Sequence, residues 1–198
     1  DRLRAFSADS DGMLAGEGIG MLVLKRLVDA ERDGNGIYAV IRGIGTSSDG
    51  HFKSIYAPRA AGQAKAVRRA YRNAGYDPAS VTLVEAHGTG TNAGDPAEFE
   101  GINTVFAENN PRKQYIALGS VKSQIGHTKA TAGAASLIKT TLALHNKILP
   151  ATINVSRPNE AMQIEDTPFY LNTETRPWFR KAQDHPRRAG VSSFGFGG

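Results

Sequence analysis

Cysteine is missing from this chain altogether. Disulfides, thiolate metal sites and a cysteine nucleophile are therefore excluded within it. Long apolar runs are missing too. None approaches the ~20 residues that span a bilayer, and no charged stretch followed by an apolar one opens the chain. No membrane partner is expected, and a cytoplasmic location is. There is no P-loop, and no His-x-x-x-His or paired-carboxylate motif argues for a metal. The glycines of "GEGIG" (16–20) precede a strand instead of following one, which is the wrong context for a dinucleotide fingerprint. Zinc-finger spacing, an RNA-recognition signature and aromatics interleaved with basic runs are also absent, so no nucleic-acid partner is expected.

What is present is an ordinary globular composition. The 198 residues are 40% hydrophobic and 22% charged, enough for one domain with a real core. The net charge is +5. Basic residues gather in Lys65, Arg68, Arg69 and Arg72 and again in Arg187 and Arg188. They read either as a solvated helix face with a basic loop or as a docking surface for an acidic partner. Asp1 begins without an initiator Met and Gly198 stops inside a Gly/Phe loop, so a piece of a longer polypeptide is expected.

Periodicity predicts alternating elements. "GIGMLVLKRL" (18–27) reads as a buried strand and "IYAVIRGIGTSSDG" (37–50) as a second strand running into a loop, the two able to form a hairpin-like unit. Residues 29–36 read as a helical turn or loop. Residues 57–78 carry apolar positions at helical spacing and stop at Gly75. Strands are predicted over 81–88 and 115–122, and helices over 94–108 and 131–146. In the first of these helices Asp95 is the expected N-cap, with Pro96 at the first position and Glu98 three residues after the cap. Residues 168–172 and 187–197 suggest two further strands, and 151–187 an irregular surface wrap. The sum is an α/β fold with a mixed sheet between helices.

Two segments leave strands carrying titratable groups. "VEAHGTGT" places His87 past a strand end, and "GSVKSQIGH" does the same with Lys122 and His127. In open α/β sheets, sites form at the carboxyl ends of strands, so these groups are candidates to converge on one pocket. Gly88 and Gly90 allow close backbone approach, and the hydroxyls of Thr89 and Thr91 can bond a polar linker. Asp95 and Glu98 have two readings: capping of the following helix, or, for Glu98, an ion pair that fixes Lys122. His51, His145 and His185 lack such a context and are read as surface residues.

These motifs carry a resemblance. "VEAHGTGTNAGDPAE" and "GSVKSQIGHTKATAGAASLIK" resemble the two histidine motifs of beta-ketoacyl synthases. "FSADSDGMLAGEGIGMLVLKRLVDA" resembles the stretch after that family's nucleophile region, and "GVSSFGFGG" its closing Gly-Phe loop. The chain is most similar to modular or iterative polyketide-type ketosynthases, and its "GHFKSIYAPRAAGQAKA" and "PFYLNTETRPW" to those of bacterial polyunsaturated fatty acid synthases. The resemblance implies a thiolase-like fold layered α-β-α-β-α, with 1–50 as the end of the N-terminal half and 51–198 as a truncated C-terminal half. It implies decarboxylative Claisen condensation of an acyl thioester with malonyl on an acyl carrier protein. His87 and His127 would be the catalytic pair, Lys122 the motif lysine and Glu98 its carboxylate partner, with Asp95 in support. Thr89 and Thr91 would contact the phosphopantetheine arm, and Phe196 would gate the acyl pocket. No cofactor would be bound directly. The implied partners are the carrier protein, the missing N-terminal half of the domain, and a second copy in a homodimer. Gln124 stands where the family usually has Asn. The nucleophilic Cys would lie outside this chain, so the fragment alone is expected to be inactive.

Two other readings compete. A non-catalytic chain-length partner would shape a pocket and dimerise, but its histidine motifs would be decayed, and here both are intact. A thiolase would carry a cysteine motif in place of the second histidine motif, and there is none.

Overall fold

The computed structural model describes residues 2–51, 54, 57–181 and 183–195. In chain order these form α1 (Leu27–Arg32), α2 (Ala60–Ala74), β1 (Leu83–Glu85), α3 (Gly94–Phe106), β2 (Ile116–Gly119), α4 (Lys122–Ile125), α5 (Ala132–Asn146), β3 (Ile148–Leu149), β4 (Phe169–Leu171), β5 (Arg176–Pro177) and β6 (Ala189–Val191). Short 3₁₀ turns punctuate the connections.

β1 and β2 are buried along their whole length, as uninterrupted apolar strands must be when helices cover both faces. They pair in parallel, Leu83 with Ala117 and Val84 with Leu118. β6 flanks β1 and β4 flanks β2, also in parallel, so the order is β4-β2-β1-β6. Alternate residues point to opposite layers. Val84, Ile116 and Leu118 pack with Phe99, Ile102 and Phe106 of α3. Leu83 and Ala117 pack with Ala143 of α5, Leu149 and Trp178. The sheet is thus a filling between α2–α3 and α5, and all four carboxyl ends share one edge.

Three expectations need correction. The four-stranded sheet is parallel, and the antiparallel pair β3–β5 forms a separate ribbon. Residues 29–36 contain the end of a true helix, because α1 starts at Leu27. The predicted strands at 18–27 and 37–50 have no ladder among the described residues, Leu27 already belongs to α1, and the hairpin-like unit is not formed there. Their physical situation explains this. Gly20 packs on Ala134, Thr131 and Ile138 of the α5 layer, whereas Ile19, Met21 and Val23 point the other way and are 91%, 86% and 98% exposed. Gly18 and Gly20 lie against the α5 layer, and Leu24 is 72% exposed as well. Residues 43–46 lie flat on α2, where Arg69 and Asn73 donate to the carbonyls of Thr46 and Ile44. That approach demands glycine: a Cβ on Gly45 would sit 2.0 Å from the Ala66 carbonyl oxygen.

Candidate active site

The shared strand edge delivers the candidate residues. His87 follows β1 by two residues, Lys122 opens the single turn α4 after β2, and His127 follows α4. Gly126 makes the turn into His127 with φ 70°, a left-handed conformation that glycine adopts without strain. The His127 backbone is then pinned to the N-terminal segment. Its N–H donates to the Leu14 carbonyl at 2.7 Å, and its own carbonyl accepts from Gly16 N–H at 3.0 Å.

The two imidazoles meet edge to face, with ring centroids 5.2 Å apart and planes at 84°. His87 Nδ1 faces donors, the Lys122 ammonium at 3.3 Å and the Phe194 N–H at 3.4 Å. His127 Nδ1 accepts from the Lys129 N–H at 3.0 Å. With Nδ1 accepting in both rings, each neutral imidazole carries its proton on Nε2. Burial pushes the His87 pKa down to about 3, and the charge of Lys122 and the neighbouring His127 push the same way. Burial lowers His127 as well, again with help from Lys122. Both rings are therefore neutral at pH 7. Lys122 is itself 1% exposed, and burial lowers its pKa against the pull of Glu98, Glu85 and Asp95. Its ammonium donates to the His87 carbonyl at 2.6 Å.

The two carboxylates hold loops. Glu98 accepts from the N–H groups of His87 at 2.7 Å and Gly88 at 2.8 Å. It makes no ion pair with Lys122, whose influence on it is through space. The expected direct Glu98–Lys122 partnership is corrected on this point: the two backbone donors lie at the bonding positions of the carboxylate. Burial pushes Glu98 up to about 7 despite those donors. Asp95 is not the N-cap of α3, whose cap is Ala93. Pro96 accordingly sits at the third helical position. Asp95 instead accepts from Thr89 and Gly90 N–H at 3.0 and 3.1 Å, and from Phe6 N–H at 2.7 Å. It clasps the His87 loop to the N-terminal segment. Thr89 and Thr91 share a hydroxyl contact of 3.0 Å at the half-buried margin of this loop. Gln124 donates to the Ala151 carbonyl at 3.0 Å. Phe196 lies outside the described residues. His51, His145 and His185 are exposed, as expected.

Two residues at this edge escaped the sequence reading. Phe194 sets its ring 5.6 Å from that of His87, beside the backbone contact already noted. Glu85, 1% exposed, ends β1 in an otherwise apolar strand. An acidic residue embedded in "VTLVEA" is a readable signal, because a buried carboxylate requires partners. Two clefts of about 520 and 550 Å³ adjoin this edge, one between 39–49, α2, α5 and 189–194 with Phe194 in its lining, the other between 17–20, 121–128 and α5, and neither is lined by the histidines. Among the described residues no cluster of three His, Cys, Asp or Glu side chains is placed to hold a metal, and no helix is long and apolar enough to cross a membrane.

A parallel sheet that brings two neutral histidines and a buried lysine to one edge matches known proteins throughout. The chain belongs to the beta-ketoacyl synthase family: residues 38–156 match its C-terminal domain and residues 1–30 its N-terminal domain. It is a portion of a ketosynthase domain of the polyketide and polyunsaturated fatty acid synthase type. It is 52% identical to a polyunsaturated fatty acid synthase polypeptide of Thraustochytrium sp., over 99% of this chain and 7% of that protein. It is 48% identical to the polyketide synthase PksL of Bacillus subtilis, over 98% of this chain and 4% of that one. The ketosynthase from module 6 of the bacillaene synthase of Bacillus subtilis superposes with a TM-score of 0.95 at 47% identity, over 99% of this chain and 35% of its own. The chain therefore has the thiolase-like α/β fold of these enzymes and spans about a third of a ketosynthase.

Proposed function

We propose that this chain supplies the histidine pair and lysine of a condensing ketosynthase. The reaction is decarboxylative Claisen condensation between an acyl thioester and malonyl on an acyl carrier protein. The carbon–carbon bond to the malonyl carboxylate breaks, CO₂ leaves, and the electron pair passes into a thioester enolate. The enolate carbon then attacks the acyl thioester, and the cysteine thiolate that held the acyl group departs. That cysteine belongs to a part of the domain outside this chain, so the chain alone is inactive. Residues 1–30 belong to the N-terminal half and 38–156 to the C-terminal half.

The observation that supports this reading is the tautomeric state of the pair. Both Nδ1 atoms face donors, which leaves both Nε2–H groups as donors for one oxygen. A neutral imidazole is a far weaker acid than imidazolium, so it can hold an enolate oxygen without giving up its proton. Each such donor in a water-poor site contributes about 3–4 kcal/mol to the transition state. Burial keeps His87 neutral, the charge of Lys122 adds to it, and the Lys122 ammonium faces Nδ1. The phosphopantetheine arm of the carrier protein runs past Thr89 and Thr91, and the domain works as a homodimer.

The test is CO₂ release from malonyl carrier protein by the intact ketosynthase that contains this chain. His87→Ala and His127→Ala should each reduce the rate about 100-fold or more while the protein stays folded. If both variants match wild type, or wild type releases no CO₂, the non-catalytic, pocket-shaping reading takes its place.

A further inference from the structure

Glu85 is bonded to segments that lead into each part of the site. Its backbone ends β1, two residues before His87, and its carbonyl accepts from Ser192 N–H at 2.9 Å, two residues before Phe194. One carboxylate oxygen accepts from Val121 N–H at 2.6 Å, directly before Lys122. The other accepts from the Lys139 ammonium at 2.7 Å. Lys139 lies on α5, whose first residues follow His127 by one 3₁₀ turn. The carboxylate is 1% exposed and the lysine side chain 12%.

We infer that Glu85 is a buried positioning residue that fixes the distance between the His87 loop and the Lys122 turn, with Lys139 balancing its charge. The inference rests on the condensing-site reading above. Neither residue touches the imidazoles, so neither is a catalytic residue. Their physical role follows from connectivity. β1 and β2 end in register, Glu85 against Gly119, and past those ends no further ladder fixes the relative position of the His87 loop and the Lys122 turn. Ser120 Oγ reaches the carbonyls of His87 and Gly88 at 3.2 and 3.1 Å, a neutral tie, and the Lys122 ammonium reaches the His87 carbonyl at 2.6 Å, a charged one. The Glu85–Val121 bond is a third tie, also charge-assisted, and it holds the backbone just before Lys122 to the end of β1. Lys139 balances that charge.

A buried ion pair is not needed for stability as such, and neutral replacements are often tolerated. That allows a test free of stranded charges, comparing two double variants in the intact ketosynthase. Glu85→Gln with Lys139→Met keeps an acceptor for Val121 N–H. Glu85→Leu with Lys139→Met removes it. Thermal melts check that both are folded. The inference predicts that kcat for CO₂ release stays within about threefold of wild type in the Gln variant and falls about tenfold or more in the Leu variant, with KM for malonyl carrier protein little changed in both. Equal kcat in the two variants, or a change confined to KM, overturns it. Should the Leu variant fail to fold, the Gln variant decides alone: near-wild-type kcat supports the tether, and a loss as deep as that of His127→Ala overturns it. His127→Ala in the same assay separates the two ideas. If it is fully active, the condensing reading fails; if it is inactive while the double variants are indistinguishable, only the role of Glu85 fails.

Discussion

Lys122 is the residue whose environment most constrains the site. Its ammonium is almost wholly buried, with no carboxylate at ion-pair distance among the described residues, and it donates to a carbonyl and faces an imidazole nitrogen. Burial lowers its pKa below the usual 10.5. Between that lowered value and 10.5 the unfolded chain binds more protons than the folded one, so folding stability rises with pH across that window. At neutral pH the buried charge is a cost. Lys122→Met should therefore melt at or above the wild-type temperature at pH 7 and lose the alkaline rise in stability, since the His87 carbonyl keeps its contact with Ser120 Oγ at 3.2 Å. CO₂ release should nevertheless drop about tenfold or more, because His87 loses the ammonium that faces its Nδ1 and holds its carbonyl. A melt series from pH 7 to 11 and the CO₂ assay check both halves. A less stable and fully active variant would contradict this account of Lys122.

At the scale of elements, the histidine motifs were legible because each couples a buried strand to glycines and titratable groups within a few residues. The helix over 60–74 was legible because its apolar positions fall at helical spacing and Gly75 ends it, whereas those over 94–106 and 132–146 carry only a weak apolar stripe. The roles of Asp95 and Glu98 were only partly readable. Both lie in the first turns of α3, where helix capping is the local expectation, but their oxygens turn to backbone N–H groups of a loop that only the folded chain brings near. Glu85 is hard to read as part of the site because its partners, Val121 and Lys139, lie 36 and 54 residues away. The segments at 18–27 and 37–50 read as strands because both faces are apolar, yet a ladder needs a neighbour. Packing of 43–46 on α2 is specific all the same. Gly45→Ala places a methyl against backbone at 2.0 Å and should destabilise by about 1–3 kcal/mol in urea unfolding. Gly36→Ala, with nothing within 4 Å, should be neutral or stabilise by about 0.4–1 kcal/mol. Equal effects at the two positions would show that the segment does not seat on the helix.

For the molecule as a whole, the dominant feature is uncovered apolar surface. Ile19, Met21, Val23, Leu24 and Val28 follow closely along the chain and are all largely exposed. Monomeric proteins rarely leave so much neighbouring apolar surface to water. This chain spans 35% of the bacillaene ketosynthase it superposes on. The isolated 198-residue chain should bind an apolar dye such as ANS about threefold or more strongly, per mole, than the intact ketosynthase. Equal binding would mean that the remainder of the domain leaves this surface open. The central claim, that the fold presents two neutral imidazoles with both Nε2–H groups as donors, has a direct measurement. It is ¹⁵N chemical-shift mapping of the His87 and His127 side chains in the intact ketosynthase at pH 7. The account predicts that both rings are neutral and protonated on Nε2, and that His87 stays so when the pH is lowered to about 5, since its pKa lies at about 3. A charged ring at pH 7, or an Nδ1–H tautomer at either histidine, would contradict it.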